Sequence, residues 1–233
     1  MQARIIKWQQ LSKDRKACVE DFESMQNEIR NREAVSAKNE RINHFIKQIP
    51  LRFRGKNFDD YLVENEEQAR VKKLAERFIN TACERISAGT CIRFMGKPGT
   101  GKTLLSLIIY QELVKQDFKV RYEPSLEFVK ELLEIKFKSQ ANFNRHIESL
   151  SEVPFLIIDE ITESVSKDGA PTELEKQILF LIVNKRYEKK MCTLVITNRD
   201  NETLIKRLGQ PTVDRLSENG ITLAFEWDSY RQK

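Results

Sequence analysis

With 233 residues, 40% hydrophobic and 32% charged, the chain has room for one sizeable domain plus an appendage. No apolar run approaches the roughly 20 residues of a membrane-spanning helix. The net charge of +5 is uneven: residues 1–54 hold 12 Lys and Arg against 7 Asp and Glu, while residues 55–233 hold 28 against 28. Cys18, Cys83, Cys91 and Cys192 are scattered, and His44 and His146 sit near none of them. That argues against a disulfide framework and against a metal site, and leaves Cys91 and Cys192 as buried thiols. The densely charged first 35 residues do not read as a secretory leader, so the expected compartment is the cytoplasm.

Residues 1–49 lack Gly and Pro. Val19, Phe22, Met25 and Ile29 recur at three- and four-residue spacing, and Ile5, Trp8 and Leu11 extend the pattern upstream. Ile42, Phe45, Ile46 and Ile49 make a second stripe. The spacing predicts one helix, or a hairpin of two broken near residues 34–38. So few apolar positions barely sustain a core. Residues 1–49 are therefore read as a small all-α docking arm, with Trp8, Phe22, Met25 and Ile29 as its contact residues; the bland reading is a helix packed on its own domain. The basic excess suits an acidic partner surface or nucleic acid. Pro50 to Asn57 is the expected linker, and residues 58–233 the second domain.

In that second domain Asn65 is placed to cap a helix whose inner face is Val71, Leu74, Ala75, Phe78, Ala82 and Ile86, with Gly89 just past its end. An apolar strand then runs into Gly96, Lys97, Pro98, Gly99, Thr100, Gly101, Lys102 and Thr103, the pattern Gly-x-x-x-x-Gly-Lys-Thr, and a helix opens with Leu104 and Leu105. Glycines allow consecutive N–H groups to point inward at a polyphosphate, and a helix N-terminus adds partial positive charge there. Lys102 can reach the outer phosphates and the Thr103 hydroxyl can ligate Mg²⁺.

Four more strands are expected at 119–123, 155–160, 192–198 and 222–227, with helices at 103–117, 125–149 (broken), 171–190 and 201–209. Runs apolar on both faces, alternating with helices, indicate an α/β domain with a parallel sheet. The strand Phe155 to Ile158 ends in Asp159 and Glu160. Asp159 is placed to hold Mg²⁺, and Glu160 to polarise a water for in-line attack, which an NTPase needs and a nucleotide kinase does not. Asn198 at another strand tip could orient that water or touch the γ-phosphate; its alternative is a turn cap. On spacing alone Arg215 reads as a surface arginine. Phe137, between Lys136 and Lys138, suits single-strand stacking, or else packs on a buried helix face.

The order of Gly96–Thr103, Phe155–Glu160, Ile196–Asn198 and Asp214–Arg215 resembles the AAA+ ATPases. More narrowly, Phe94–Lys102, Leu156–Ile161, Phe58–Tyr61 and above all the terminal Trp227–Arg231 resemble the DnaC-type loaders of the replicative helicase. The resemblance implies a three-layer core with a five-stranded parallel sheet in order 5-1-4-3-2. It implies ATP and Mg²⁺ as cofactors, docking of the arm on a hexameric replicative helicase, self-association of the ATPase domains, and single-stranded DNA bound near Phe137. Arg215 would act on a neighbouring subunit's site, and Arg231 would sense nucleotide. The chain departs from the family in having Gln210-Pro211-Thr212 before the finger position and a long segment at 162–171. Only 18 residues follow Arg215, so no C-terminal helical lid is expected. Two other readings stay open: a transposition helper ATPase of the same subfamily, and an adaptor that binds ATP without hydrolysing it.

Overall fold

A computed structural model describes residues 29–161 and 172–230. The chain divides into two compact units, the first ending at Phe45 and the second beginning at Ile46. The described part of the first unit is helical: helix α1 covers 29–46, and its residues 29–41 are exposed. Of the docking residues named above, Ile29 is exposed, while Trp8, Phe22 and Met25 lie outside the described residues.

The second unit is a five-stranded parallel sheet in the order β2-β3-β4-β1-β5, the expected order read from the opposite edge. The strands are β1 (Ile92–Gly96), β2 (Val120–Pro124), β3 (Phe155–Asp159), β4 (Cys192–Thr197) and β5 (Ile221–Phe225). Every residue of β3 and β4 is buried, because helices cover both sheet faces and leave no position for a polar side chain to reach water. Cys91 and Cys192 are both buried.

The helices are α2 (Glu66–Asn80), α3 (Ala82–Ser87), α4 (Lys102–Lys115), α5 (Ser125–Lys138), α6 (Gln140–Glu152), α7 (Glu173–Glu188), α8 (Asn201–Leu208) and α9 (Gln210–Glu218). Helices α5 to α9 form one layer: Val129, Leu132, Phe143, Ile147, Leu179, Ile182, Leu204 and Leu216 pack with Leu156, Ile158 and Val195 of the sheet. The other layer contains α2 and α4; Phe78 of α2 lies 5.6 Å from Phe155 of β3. Asn65 caps α2 as expected, accepting from the Gln68 amide at 2.9 Å. The expected break in 125–149 falls at Ser139, whose side chain caps α6. Helix α9 was not expected: Gly209, at φ 82°, ends α8, and Pro211 sits in the first turn of the next helix, where its missing N–H costs nothing. No helix among the described residues is long and apolar enough to cross a membrane, and no helical lid follows β5 among them.

The stretch 50–57, expected as a linker, is fixed to the core. The buried Gln111 amide on α4 donates to Phe53 O at 3.0 Å and Lys56 O at 3.1 Å, and accepts from Gly55 N at 2.7 Å. On the other layer, Arg186 is fully buried. Its guanidinium donates to Thr193 Oγ1, Leu150 O, Val153 O and Cys192 O, stitching the end of α6 to β4. Burial pulls its pKa down to about 10, so it stays charged at neutral pH. Arg186→Met is expected to cost about 3 kcal/mol, because charge-assisted bonds are lost and buried carbonyls are left unpaired. Urea unfolding measures this; an unchanged midpoint would show that the carbonyls find other donors.

Candidate nucleotide site

Parallel pairing sets the site's position. β4 lies beside β1 and β3 beside β4, all parallel, so the residues at the C-terminal ends of β4 and β3 share one edge of the sheet with the loop that leaves β1, the usual place for a ligand in an open α/β sheet. A cleft of about 260 Å³ is lined there by Pro98, Gly99, Gly101, Lys102 and Thr103 together with Glu160 and Asn198. A larger hollow is lined by Glu64, Glu66, Glu67, Glu226 and Asp228, carboxylates that would repel a polyphosphate.

The loop's shape follows from Gly96. Its φ is 131°, and a Cβ added there would lie 2.2 Å from Phe225 O on the paired strand. Thr100 is buried and donates its hydroxyl to Lys97 O at 2.8 Å. The Lys102 ammonium donates to Gly96 O at 2.8 Å and to Lys97 O, so the loop's own carbonyls hold it at the loop centre.

Across the cleft, Thr103 Oγ1 donates to Asp159 Oδ2 at 2.9 Å, joining residues 56 positions apart. Tyr122 of β2 donates its phenol to the same oxygen at 2.9 Å. Asp159 Oδ1 is buried and accepts no hydrogen bond. Burial raises the Asp159 pKa, against the pull of the Tyr122 and Thr103 hydroxyls, the Glu160 backbone amide and the more distant Lys102. A buried carboxylate oxygen without a donor is a group that a cation would satisfy. No cluster of three or more metal-binding His, Cys, Asp or Glu exists among the described residues; one carboxylate and one hydroxyl fit an ion that draws its remaining ligands from phosphate and water.

Glu160 follows directly, in the left-handed region with φ 54°, and is exposed at the cleft. Both flanks of 162–171 are pinned. Arg207 donates to Ile161 O at 3.2 Å and pairs with Glu175 at 3.2 Å, and Glu175 accepts from Thr172 N at 2.7 Å. Asn198 emerges from β4, which pairs with β1 through Met95 and Thr197.

The structure thus brings together Gly96–Thr103, Asp159, Glu160 and Asn198. It does not bring Arg215 to this cleft. Arg215 lies on α9, its guanidinium 5.2 Å from the Phe180 ring and 5.7 Å from the Tyr187 ring, donating to Pro211 O at 2.9 Å. Phe137 is 78% exposed at the end of α5, which removes the buried-face reading. Lys136 and Lys138 flank it in that last turn; the Lys136 ammonium lies 5.0 Å from the Phe143 ring. Arg231 lies outside the described residues.

Four residues at the site went unread in the sequence: Tyr122, and the cleft-lining Arg52, Phe53 and Tyr230. The tail was singled out for resemblance, and it does close on the loop. Trp227 Nε1 donates to Thr100 O at 3.1 Å, Tyr230 N donates to Gly99 O at 3.0 Å, and the Tyr230 hydroxyl donates to Leu62 O at 2.8 Å. Two of these three bonds come from the polar tip of an aromatic side chain that packs its body, as indoles and phenols do, a hint the aromatic content of the tail already carried.

Comparison with known proteins gives a consistent picture. The model of the IstB-like ATP binding protein family matches residues 2–233. The replicative helicase loader DnaC of Buchnera aphidicola (from Acyrthosiphon pisum) is 32% identical over 181 residues, covering 76% of this chain and 69% of that protein. DnaC of Escherichia coli K12 is 31% identical over 180 residues with the same coverage. Among solved structures, a DnaC helicase loader superposes with a TM-score of 0.67 at 19% identity, over 76% of this chain and all of the other.

Proposed function

We propose, from the premise that this chain belongs to the family of IstB-like ATP-binding proteins and DnaC-type helicase loaders, that it is an ATPase that loads a hexameric replicative helicase onto single-stranded DNA. The observation that carries the ATPase part is the bond between Thr103 and Asp159, with Glu160 next in sequence and lining the same cleft. That pairing sets a carboxylate against the phosphate loop and supplies a second carboxylate for water.

In this reading the loop amides and Lys102 take the phosphates, exchanging the loop carbonyls for phosphate oxygens as the acceptors of the ammonium. Thr103 and Asp159 would hold Mg²⁺, which when bound neutralises phosphate charge. Glu160 accepts a proton from the attacking water, and Asn198 donates an amide hydrogen bond to that water or to the terminal phosphate. Arg215 serves a neighbouring subunit's site: the two aromatic rings beside it hold its guanidinium at the surface and away from its own cleft. Arg231 is proposed to sense the nucleotide, and Phe137 with Lys136 and Lys138 to stack and neutralise single-stranded DNA. Trp8, Phe22, Met25 and Ile29 supply the apolar contacts of the docking arm.

The test of the loader reading is capture. Immobilised chain is expected to retain the replicative helicase of its host in the presence of ATP, and less of it as salt rises, because the arm is basic. Capture of a transposase without the helicase would replace this reading with a transposition helper.

A further inference from the structure

The 3-10 turn Leu51–Phe53 reaches the nucleotide cleft, and Arg52 is one of the residues lining it. The turn is held from both sides. Arg54 donates to Ile49 O at 2.9 Å and to Lys47 O at 2.7 Å, and Gln111 grips Phe53, Gly55 and Lys56 from the phosphate-loop helix. The Arg52 guanidinium stands 4.5 Å from the centre of the Phe53 ring, a stack that leaves its in-plane N–H donors available. Arg52 shares the lining of the cleft with Lys102, Thr103, Glu160 and Asn198, the residues around which a terminal phosphate would lie. Among the described residues it has no carboxylate partner within ion-pair distance.

We propose that Arg52 is a further nucleotide-binding residue, a second cation beside Lys102 that contacts the terminal phosphate and so distinguishes ATP from ADP. The inference rests on the nucleotide-site reading above. Its chemistry is that of a planar fork matched to phosphate oxygens. Its consequence is regulatory. Arg52 lies seven positions after Phe45, the last residue of the first unit, so the segment leaving the docking arm would feel whether the terminal phosphate is present.

Fluorescence titration of the full chain with N-methylanthraniloyl-labelled ADP and with the labelled, non-hydrolysable imidotriphosphate analogue of ATP tests this. Arg52→Ala is expected to weaken the triphosphate about tenfold or more, the scale of one charge-assisted hydrogen bond, and the diphosphate less than about threefold, since no contact to it is lost. Arg52→Lys, which keeps the charge, should recover part of the loss. Thermal melting should be unchanged in both variants, because Arg52 is exposed. Unchanged triphosphate affinity, equal losses for the two nucleotides, or no recovery with Lys would each overturn the proposal. Lys102→Ala separates the two levels. If wild type binds neither nucleotide, or Lys102→Ala binds both as wild type does, the nucleotide-site reading fails and Arg52 with it. If Lys102→Ala loses both while Arg52→Ala behaves as wild type, only the role of Arg52 is lost.

Discussion

Replacing Glu160 by Gln is expected to lower steady-state ATP turnover by roughly 100-fold or more, the range of a removed general base. ATP affinity should stay within about threefold of wild type, since the loop and Lys102 are untouched. Gln keeps the length and shape of Glu and removes its ability to take a proton. Glu160 is the residue to change because the two neighbouring carboxylates have different surroundings. Asp159 is buried and receives hydrogen bonds from Thr103 and Tyr122. Glu160 is exposed at the cleft, where a water molecule can reach it. A coupled phosphate-release assay reads the turnover, and equilibrium titration reads the affinity. Undiminished turnover would mean that the Glu160 carboxylate takes no proton. A wild-type chain that binds ATP without measurable turnover would be better described as an adaptor for which ATP is a structural ligand.

The second large effect concerns folding. Gly96→Ala should destabilise the second unit by about 4 kcal/mol or more, from a strained backbone plus a steric overlap that neither partner can relieve. The new methyl would meet the backbone of Phe225 at 2.2 Å. That residue is paired with Gly96 in the β1–β5 ladder, and its carbonyl accepts from Lys97 N at 3.1 Å. Gly55→Ala is the control. Gly55 also has positive φ, 74°, but nothing lies within 4 Å of an added Cβ, so only the conformational cost of about 1–2 kcal/mol applies. Thermal melts of the two variants should differ by roughly 5–10 °C. Equal melting points would show that β5 shifts to accommodate the methyl.

Much of this architecture could be read in advance because burial and composition agree. β3 and β4 are covered on both faces, so their sequences are mostly apolar, and the phosphate loop needs glycines at fixed spacing. The C-terminal strand was harder. The pattern through Trp227 looks like strand, yet β5 stops at Phe225, because the indole leaves the ladder to bond Thr100 O. Periodicity shows that a side chain is apolar and cannot show that its one polar atom is needed elsewhere. The docking of the expected linker 50–57 on the core was hidden in a similar way. Pro50 and Gly55 are loop residues locally, and the grip of Gln111, more than 50 positions away, has no local trace. Arg52 and Tyr122 were missed for the same reason: each joins the site from a segment that carries no motif. Arg215 shows the reverse. It was singled out by resemblance and not by spacing, and its placement between two aromatic rings depends on how α7 and α9 pack.

The backbone at Glu160, with φ 54°, has a consequence for laboratory evolution. A side chain other than glycine in this region costs about 1–2 kcal/mol, so glycine at position 160 would be selected wherever survival of heating is the criterion. Such a lineage would gain thermal tolerance by discarding the carboxylate, and assays of folding alone would score it as an improvement. If Glu160 serves turnover as proposed, position 160 records what a population was selected for: glutamate would persist where turnover is demanded, and glycine would spread where only persistence of the fold is rewarded.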